Sequence, residues 1–222
     1  MLAHDLRSPF NIFLNLSELL SDEIESLSKD EIIKFSKQLN IALHKQYELL
    51  TDLLDWSGIQ SNQLGFNPEK LLLYEEMMKV FDSVSAVAQD KKIELSCDVE
   101  GDFEVFADPR FLRTLSRNLV ANSIKFTPIG GWVKITASQK GDMAEIVVSD
   151  NGIGMDSDLA ANLFKPDFHT STQGTKNEKG TGLGLRFCKQ AVEKHKGTLR
   201  VESKPGIGST FFFTLPNKNL DN

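Results

Sequence analysis

The sequence lacks several features that would assign it to other classes of protein. Of its 222 residues only Cys97 and Cys188 are cysteines, and they form no C-x-x-C pair, so the sequence indicates neither a zinc site nor a redox motif. We expect both to be buried, reduced thiols. No apolar run approaches the roughly 18 residues of a membrane span, and no signal peptide opens the chain. These absences predict a cytoplasmic chain with no membrane segment.

An excess of positive charge is also missing. Lysine and arginine number 25 against 31 acidic residues, and the formal net charge of -6 argues against nucleic-acid binding. Apolar residues make up 40% of the sequence, which is ordinary for a globular protein, and the length suits one or two domains with a hydrophobic core. Because His4 stands almost at the first residue, we expect a fragment of a longer protein.

Two long amphipathic helices are predicted at the start of the chain. Apolar residues recur at steps of three and four from Leu2 to about residue 24, and again over about 30–61. Pro9 lacks an N–H and is expected to kink or loosen the first helix beside His4. Two helices alone cannot bury so broad an apolar face, so we predict a helical hairpin that forms a four-helix bundle in a homodimer. The alternative is packing on the rest of the same chain, which the length of the second helix disfavours.

The pattern changes after Gly65 to a mixture of helices and strands. They do not alternate regularly, so we expect an α+β sandwich rather than a doubly wound parallel sheet. Asp108 and Pro109 are typical of a helix N-cap and first turn, and residues 140–142 are typical of a hairpin turn. The predicted strands cover 66–73, 92–98, 104–106, 132–138, 143–149, 198–203 and 210–215, and the predicted helices cover 74–90, 157–163, a stretch after Pro109 and a glycine-opened stretch ending near 196.

An apolar strand leads directly into a carboxylate and two glycines at residues 147–155. The side chain of Asp150 can accept a hydrogen bond from an exocyclic amine, and Gly152 and Gly154 would let a flat heterocycle approach the backbone. Taken alone, however, Asp-Asn-Gly is more typical of a turn after a strand. A functional interpretation therefore needs support from other parts of the chain.

Two further stretches give that support. Asn118, Asn122 and Lys125 follow one another at i, i+4 and i+7, which places them on one face of a helix. The stretch 180–185 is a glycine-rich turn that opens a helix, and its free N–H groups can bind phosphate. One glycine-rich loop is a weak signal, but the three stretches in this order favour a nucleotide site.

Together these stretches resemble the catalytic core of two-component sensor histidine kinases, over essentially the whole chain. The resemblance implies a dimerisation and phosphoacceptor hairpin at 1–63, followed at 64–222 by an ATP-binding α/β sandwich of the type shared with gyrase, heat-shock chaperone and mismatch-repair ATPases. The matching motifs are the phosphoacceptor motif at 3–10, the asparagine motif at 118–128, the adenine motif at 150–154, the phenylalanine motif at 163–168 and the glycine-rich lid motif at 180–185.

The resemblance also implies ATP and Mg²⁺ as cofactors and a role for each motif. Asp150 would bind the adenine amino group in a pocket shaped by the two following glycines. Asn122 would give an amide oxygen to Mg²⁺, a cation that prefers oxygen ligands, while Asn118 and Lys125 would face the phosphates. Residues 165–179 would form a lid over the triphosphate, together with the backbone of the lid motif, namely Gly180, Thr181, Gly182, Leu183 and Gly184.

His4 would be the phosphoacceptor. A lone helical histidine is usually a solvated surface residue, but a neutral imidazole within this motif has a lone pair that can attack the γ-phosphorus. Asp5 would orient or deprotonate the ring, although neighbouring helical side chains point about 100° apart. Ser8, at i+4 from His4, would position water for a phosphatase reaction. The phosphate would pass to an aspartate on the receiver domain of a response regulator.

Two other functions compete with phosphotransfer to histidine. An ATP hydrolase of the same fold places a glutamate one helical turn before the metal-binding asparagine, and here Asn118, which cannot act as a base, holds that place. A dimeric scaffold that binds nucleotide without transferring phosphate is the second alternative, and the intact motifs disfavour it. We predict that His44 and His195, which lie in polar stretches, are surface residues, whereas His169 lies in the lid.

Overall fold

The computed structural model describes residues 2–22, 26–60, 65–165, 174–175 and 184–219. It divides into two compact units, Met1–Gln60 and Ser61–Asn222, each of which is described by itself. Among the described helices, none combines the length and the hydropathy that a bilayer span requires.

The first unit consists of two helices that pack against each other, α1 (Leu2–Asp22) and α2 (Lys29–Gln60). The helix α1 is continuous through Pro9, so the predicted irregularity does not interrupt it. Ser28 and Glu31 form a capping box at the start of α2, because Glu31 N donates to Ser28 Oγ at 3.3 Å and Ser28 N donates to the Glu31 carboxylate at 2.9 Å. Several apolar side chains of the unit remain 43–50% exposed, namely Phe10, Leu14, Ile33, Leu43 and Leu50.

The second unit contains two sheets. The smaller one pairs β1 (Glu69–Leu72) with β3 (Glu104–Ala107) in an antiparallel ladder. The larger one has the strand order β2-β4-β5-β7-β6, in which β2 runs parallel to β4 and the other pairs are antiparallel. This mixed sheet agrees with the irregular order of elements in the sequence. Its strands are β2 (Glu94–Asp98), β4 (Trp132–Lys140), β5 (Met143–Asp150), β6 (Leu199–Lys204) and β7 (Gly208–Pro216).

The core of the second unit lies between the large sheet and three helices. Buried residues alternate along β5, as expected for a strand with one covered face, and they recur at helical spacing along the covering helices. Leu119, Ile146 and Phe213 are completely buried at this interface. The fold is therefore an α/β sandwich. The helices are α3 (Leu73–Asp90), α4 (Pro109–Phe126) and α6 (Gly184–Lys194), with a short α5 (Ser157–Asn162) near the edge of the sheet.

The prediction that His195 is a surface residue is wrong. Its ring is 3% exposed, with Nδ1 2.7 Å from the carbonyl oxygen of Ala191, and Nε2 accepts the backbone N–H of Asp108 at 3.0 Å. Burial lowers the pKa of His195, while the carbonyl of Ala191 and the charge of Asp108 oppose that shift. The ring also packs edge-on against Phe66, with 4.8 Å between the ring centroids.

The first strand is shorter than predicted, because it begins at Glu69 rather than at residue 66. The N–H of Asn67 donates to the carboxylate of Asp108 at 2.9 Å instead of joining a ladder. Asp108 also caps α4, since its Oδ1 accepts from the backbone N–H of Arg110 at 3.0 Å. Burial alone would raise the pKa of Asp108, but these hydrogen bonds and the side chain of Arg110 bring it below the usual value.

Candidate active site

Asp150 lies at the end of β5, which is the central strand of the large sheet, and it is 6% exposed. Its Oδ1 accepts two backbone hydrogen bonds, from Gly152 at 2.9 Å and from Ser209 at 3.1 Å. Burial raises the pKa of Asp150, and the Gly152 N–H, the Ser123 hydroxyl and the Ser209 N–H oppose the rise. Ser123 Oγ is buried and has no hydrogen-bond partner among the described residues, although its hydroxyl lowers the pKa of Asp150. The described hydrogen bonds end on Oδ1, so Oδ2 is the oxygen that could accept from a ligand.

The glycines after Asp150 are required by close backbone packing. A Cβ at Gly152 would lie 2.6 Å from the carbonyl oxygen of Phe126, the last residue of α4. Gly154 has a φ of +68°, and a Cβ there would overlap the backbone carbonyl of Lys204. The loop is therefore fitted between the end of α4 and the β6–β7 turn, with no room for side chains at these two positions.

The helix α4 carries the three polar side chains predicted to share one face. Asn118, Asn122 and Lys125 are all partly buried. A Cβ at Gly184 would lie 2.9 Å from the Asn118 side-chain oxygen, so α6 begins in contact with Asn118. At the other end of α4, the N–H of Ile153 donates to the carbonyl of Phe126 at 3.0 Å. The structure thus brings the asparagine helix, the aspartate loop and the first residue of α6 together.

A pocket of about 690 Å³ opens beside Asp150 between α5 and the β6–β7 hairpin. Its wall is mainly apolar and includes Ala160, Ala161 and Ile207. None of the three polar residues of α4 lines it. We therefore place the candidate site along α4, with Asp150 as the residue that the pocket and the site share.

The donor set at α4 fits a magnesium ion that is shared with a nucleotide. In the described ranges no group of three or more histidine, cysteine or acidic side chains could hold a metal ion by itself. Mg²⁺ keeps several waters and binds through one or two protein oxygens together with substrate phosphates. The amide oxygen of Asn122 is a ligand of that kind.

Comparison with known proteins assigns this arrangement to a family. Residues 107–219, which are half of the chain, match the model of the "Histidine kinase-, DNA gyrase B-, and HSP90-like ATPase" family. The chain belongs to this ATPase family. Asp150, the asparagines of α4 and Gly184 all lie within the matched range.

Within the family the similarity is to the catalytic regions of sensor histidine kinases. The Escherichia coli sensor histidine kinase RcsC is 32% identical over 217 residues, which are 96% of this chain and 22% of RcsC. Full-length ShkA, solved in complex with AMPPNP, is 25% identical with a TM-score of 0.69 over 97% of this chain and 44% of ShkA. Histidine kinase ThkA, solved with the response regulator TrrA, shares the fold at 23% identity, with a TM-score of 0.72 over 97% of this chain and 60% of ThkA. The chain spans about a quarter of the length of the first curated relatives.

Some predicted site residues of this kinase region lie outside the described residues. These are the lid residues Gly180, Thr181, Gly182 and Leu183 and most of the stretch 165–179. His4, Asp5 and Ser8 lie in the helix α1, but their side chains are outside the description. Their roles remain predictions.

The ATPase fold also uses residues that sequence reasoning missed. Ser209 donates its backbone N–H to Asp150, and Gly208, with a φ of +131°, lies where a Cβ would overlap the carbonyl of that aspartate. Ser203 Oγ accepts the N–H of Met155 at 2.8 Å, which fixes the far end of the aspartate loop. The sequence predicts only a turn at 204–206 between the strands 198–203 and 210–215, and nothing in it links that turn to Asp150.

Proposed function

We propose that this chain binds ATP with Mg²⁺ and transfers the γ-phosphoryl group to His4. The observation that carries the proposal is the placement of Asp150. A buried carboxylate held by two N–H groups at the end of the central strand lies beside the helix that bears Asn118 and Asn122. That arrangement suits a nucleotide whose base is bound by the carboxylate and whose phosphates extend along α4.

Each residue then has a definite part in binding. Asp150 accepts the adenine amino group through Oδ2 and must be ionised to accept strongly, which its two N–H donors favour against the effect of burial. Asn122 holds Mg²⁺ jointly with the phosphates, and the ion neutralises charge on the transferred group. Asn118 and Lys125 contact the phosphates, and the N–H groups of residues 180–184 close over them.

Transfer requires a neutral imidazole. The lone pair of His4 forms a bond to the γ-phosphorus as the bond from that phosphorus to the bridging oxygen breaks, and ADP leaves. Asp5 orients the ring through its other nitrogen, and Ser8 takes part in a separate reaction by positioning water that hydrolyses the phosphoryl group on the partner. The phosphoryl group then passes to an aspartate of a response-regulator receiver domain. The complex of ThkA with TrrA supports this choice of partner.

A homodimer formed through α1 and α2 is part of the proposal. The two helices leave large apolar side chains 43–50% exposed, among them Leu14 and Ile33. A second copy of the hairpin would bury these side chains in a four-helix bundle.

The test is incubation of the chain with γ-labelled ATP and Mg²⁺. We expect acid-labile, base-stable label on the protein, because a phosphoryl group on histidine has that stability. His4→Gln should carry no label but should still bind ATP. Asp150→Asn should neither bind ATP nor carry label. Binding of ATP without any label on the unmodified chain would favour the scaffold and contradict phosphotransfer.

A further inference from the structure

A lysine ammonium group is buried beneath the C-terminal turn of α4. Lys91, which directly follows α3, is 1% exposed. Its Nζ donates to the carbonyl oxygens of Ile124 at 2.7 Å and Lys125 at 2.9 Å, and to Thr175 Oγ1 at 2.7 Å. The three donors of the ammonium group therefore all have acceptors. Its positive charge also complements the negative end of the α4 dipole.

Thr175 is tied to the same turn by further hydrogen bonds. Its N–H donates to the carbonyl of Lys125 at 3.1 Å. Its hydroxyl accepts from Lys91 and has one proton for the carbonyl of either Lys125 at 3.1 Å or Thr127 at 3.0 Å. Gly174 and Thr175 are the two described residues between Lys165 and Gly184. The chain between α5 and α6 is therefore attached to the end of α4 near its midpoint.

This attachment depends on polar contacts rather than on core packing. Thr175 is itself exposed, so burial of its methyl group contributes little to the attachment. The residue acts through its hydrogen bonds. Lys91 is held independently, because its backbone carbonyl accepts the N–H of Gly130 at 3.0 Å and its own N–H donates to Val87 at 3.2 Å. The ammonium group is thus a fixed point to which the last turn of α4 and Thr175 are both bound.

We propose that Lys91 is a positioning residue for nucleotide binding. Its ammonium group holds the turn that carries Lys125, together with Thr175, in the arrangement that the nucleotide phosphates need. The inference rests on the proposed function, because it assigns Lys125 to the phosphates. Contacts that are fixed before the ligand arrives reduce the entropy lost on binding, so loss of the attachment weakens affinity without altering the transfer step.

The decisive variant is Thr175→Val, which keeps the shape and the backbone N–H but removes the hydroxyl. We expect Mg²⁺-ATP to bind about threefold to tenfold more weakly by titration calorimetry, which corresponds to one ordinary hydrogen bond. The KM for ATP in autophosphorylation should rise by the same factor, while kcat stays unchanged. Thr175→Ser, which restores the hydroxyl, should return both constants to those of the unmodified chain.

A second variant tests the connection to the lysine. Lys91→Met should also weaken ATP binding, and the loss in the double variant should be smaller than the sum of the two single losses, because both single changes remove the hydrogen bond between Lys91 and Thr175. Unchanged affinity in Thr175→Val, additive losses in the double variant, or no rescue by serine would overturn the inference while leaving the proposed function intact. An unmodified chain that does not bind Mg²⁺-ATP would overturn both.

Discussion

At the scale of single residues, His195 shows how burial sets a protonation state. Nε2 must be unprotonated to accept the N–H of Asp108, so the ring is neutral with its proton on Nδ1, which donates to Ala191. Burial is the main cause of its lowered pKa, and the nearby charge of Lys194 acts in the same direction. Protonation of the ring would break the link between α6 and the start of α4.

This arrangement predicts a pH dependence of the free energy of unfolding. In the unfolded chain the pKa of His195 is about 6.5, and in the folded chain it is lower. Its stabilising contribution is therefore complete above about pH 6.5 and is lost as the pH falls from there through the folded-state pKa. Urea unfolding should show His195→Gln to be about 1–3 kcal/mol less stable at pH 7.5. The difference should shrink toward pH 5.5, and parallel curves would contradict the assignment.

Sequence reasoning found the residues that carry motifs but missed those that support them. Asp150, Asn122 and Gly184 stand in recognisable local patterns. The role of His195 depends on Asp108, which lies 87 residues away in the chain, and that of Lys91 on Thr175, which lies 84 residues away. Both have polar neighbours in sequence, and only the tertiary contacts bury them.

At the scale of elements, the packing of the loop between β5 and α5 predicts that Gly154→Ala causes a large loss of stability. Gly154→Ala combines a positive φ with an overlap against the carbonyl of Lys204. Gly141→Ala is the matched control, since Gly141 has a φ of +64° and no atom within 4 Å of an added Cβ. We expect the control to lose about 1 kcal/mol in urea unfolding and Gly154→Ala to lose at least about 2 kcal/mol more.

Gly154→Ala should also weaken ATP binding, because the loop that it distorts begins at Asp150. Gly141→Ala should bind ATP normally, since its hairpin lies at the opposite end of β5. Equal losses of stability in the two variants would show that the overlap with Lys204 is relieved at little cost.

The periodicity of the sequence predicts most of the helices and strands, but it does not predict where they begin and end. The alternation of β4 and β5 and the turn between them were predicted closely, because a two-residue repeat with one covered face is a local property. The start of β1 was not predicted correctly, because the N–H of Asn67 donates to Asp108, which lies in a distant part of the chain. The strand order of the sheet, in which β7 lies beside β5, is likewise a long-range property.

At the scale of the whole molecule, the two compact units predict a separation of activities. Asp150, the asparagines of α4 and the buried core around Leu119 all belong to Ser61–Asn222. A fragment of residues 61–222 should therefore fold, as seen by circular dichroism. It should bind Mg²⁺-ATP within about threefold of the whole chain, a difference in affinity no larger than one weak hydrogen bond. It should take up no label, because it lacks His4. Failure of the fragment to bind ATP when the whole chain does so would contradict this division.

The β6–β7 hairpin has a consequence for the order of events during synthesis. It follows every predicted motif in the sequence, yet Ser209 donates to Asp150 and β7 pairs with β5. A nascent chain that has emerged from the ribosome only as far as α6 contains every predicted motif but lacks this support. The backbone support of Asp150 is therefore complete only after the hairpin has emerged and paired with β5.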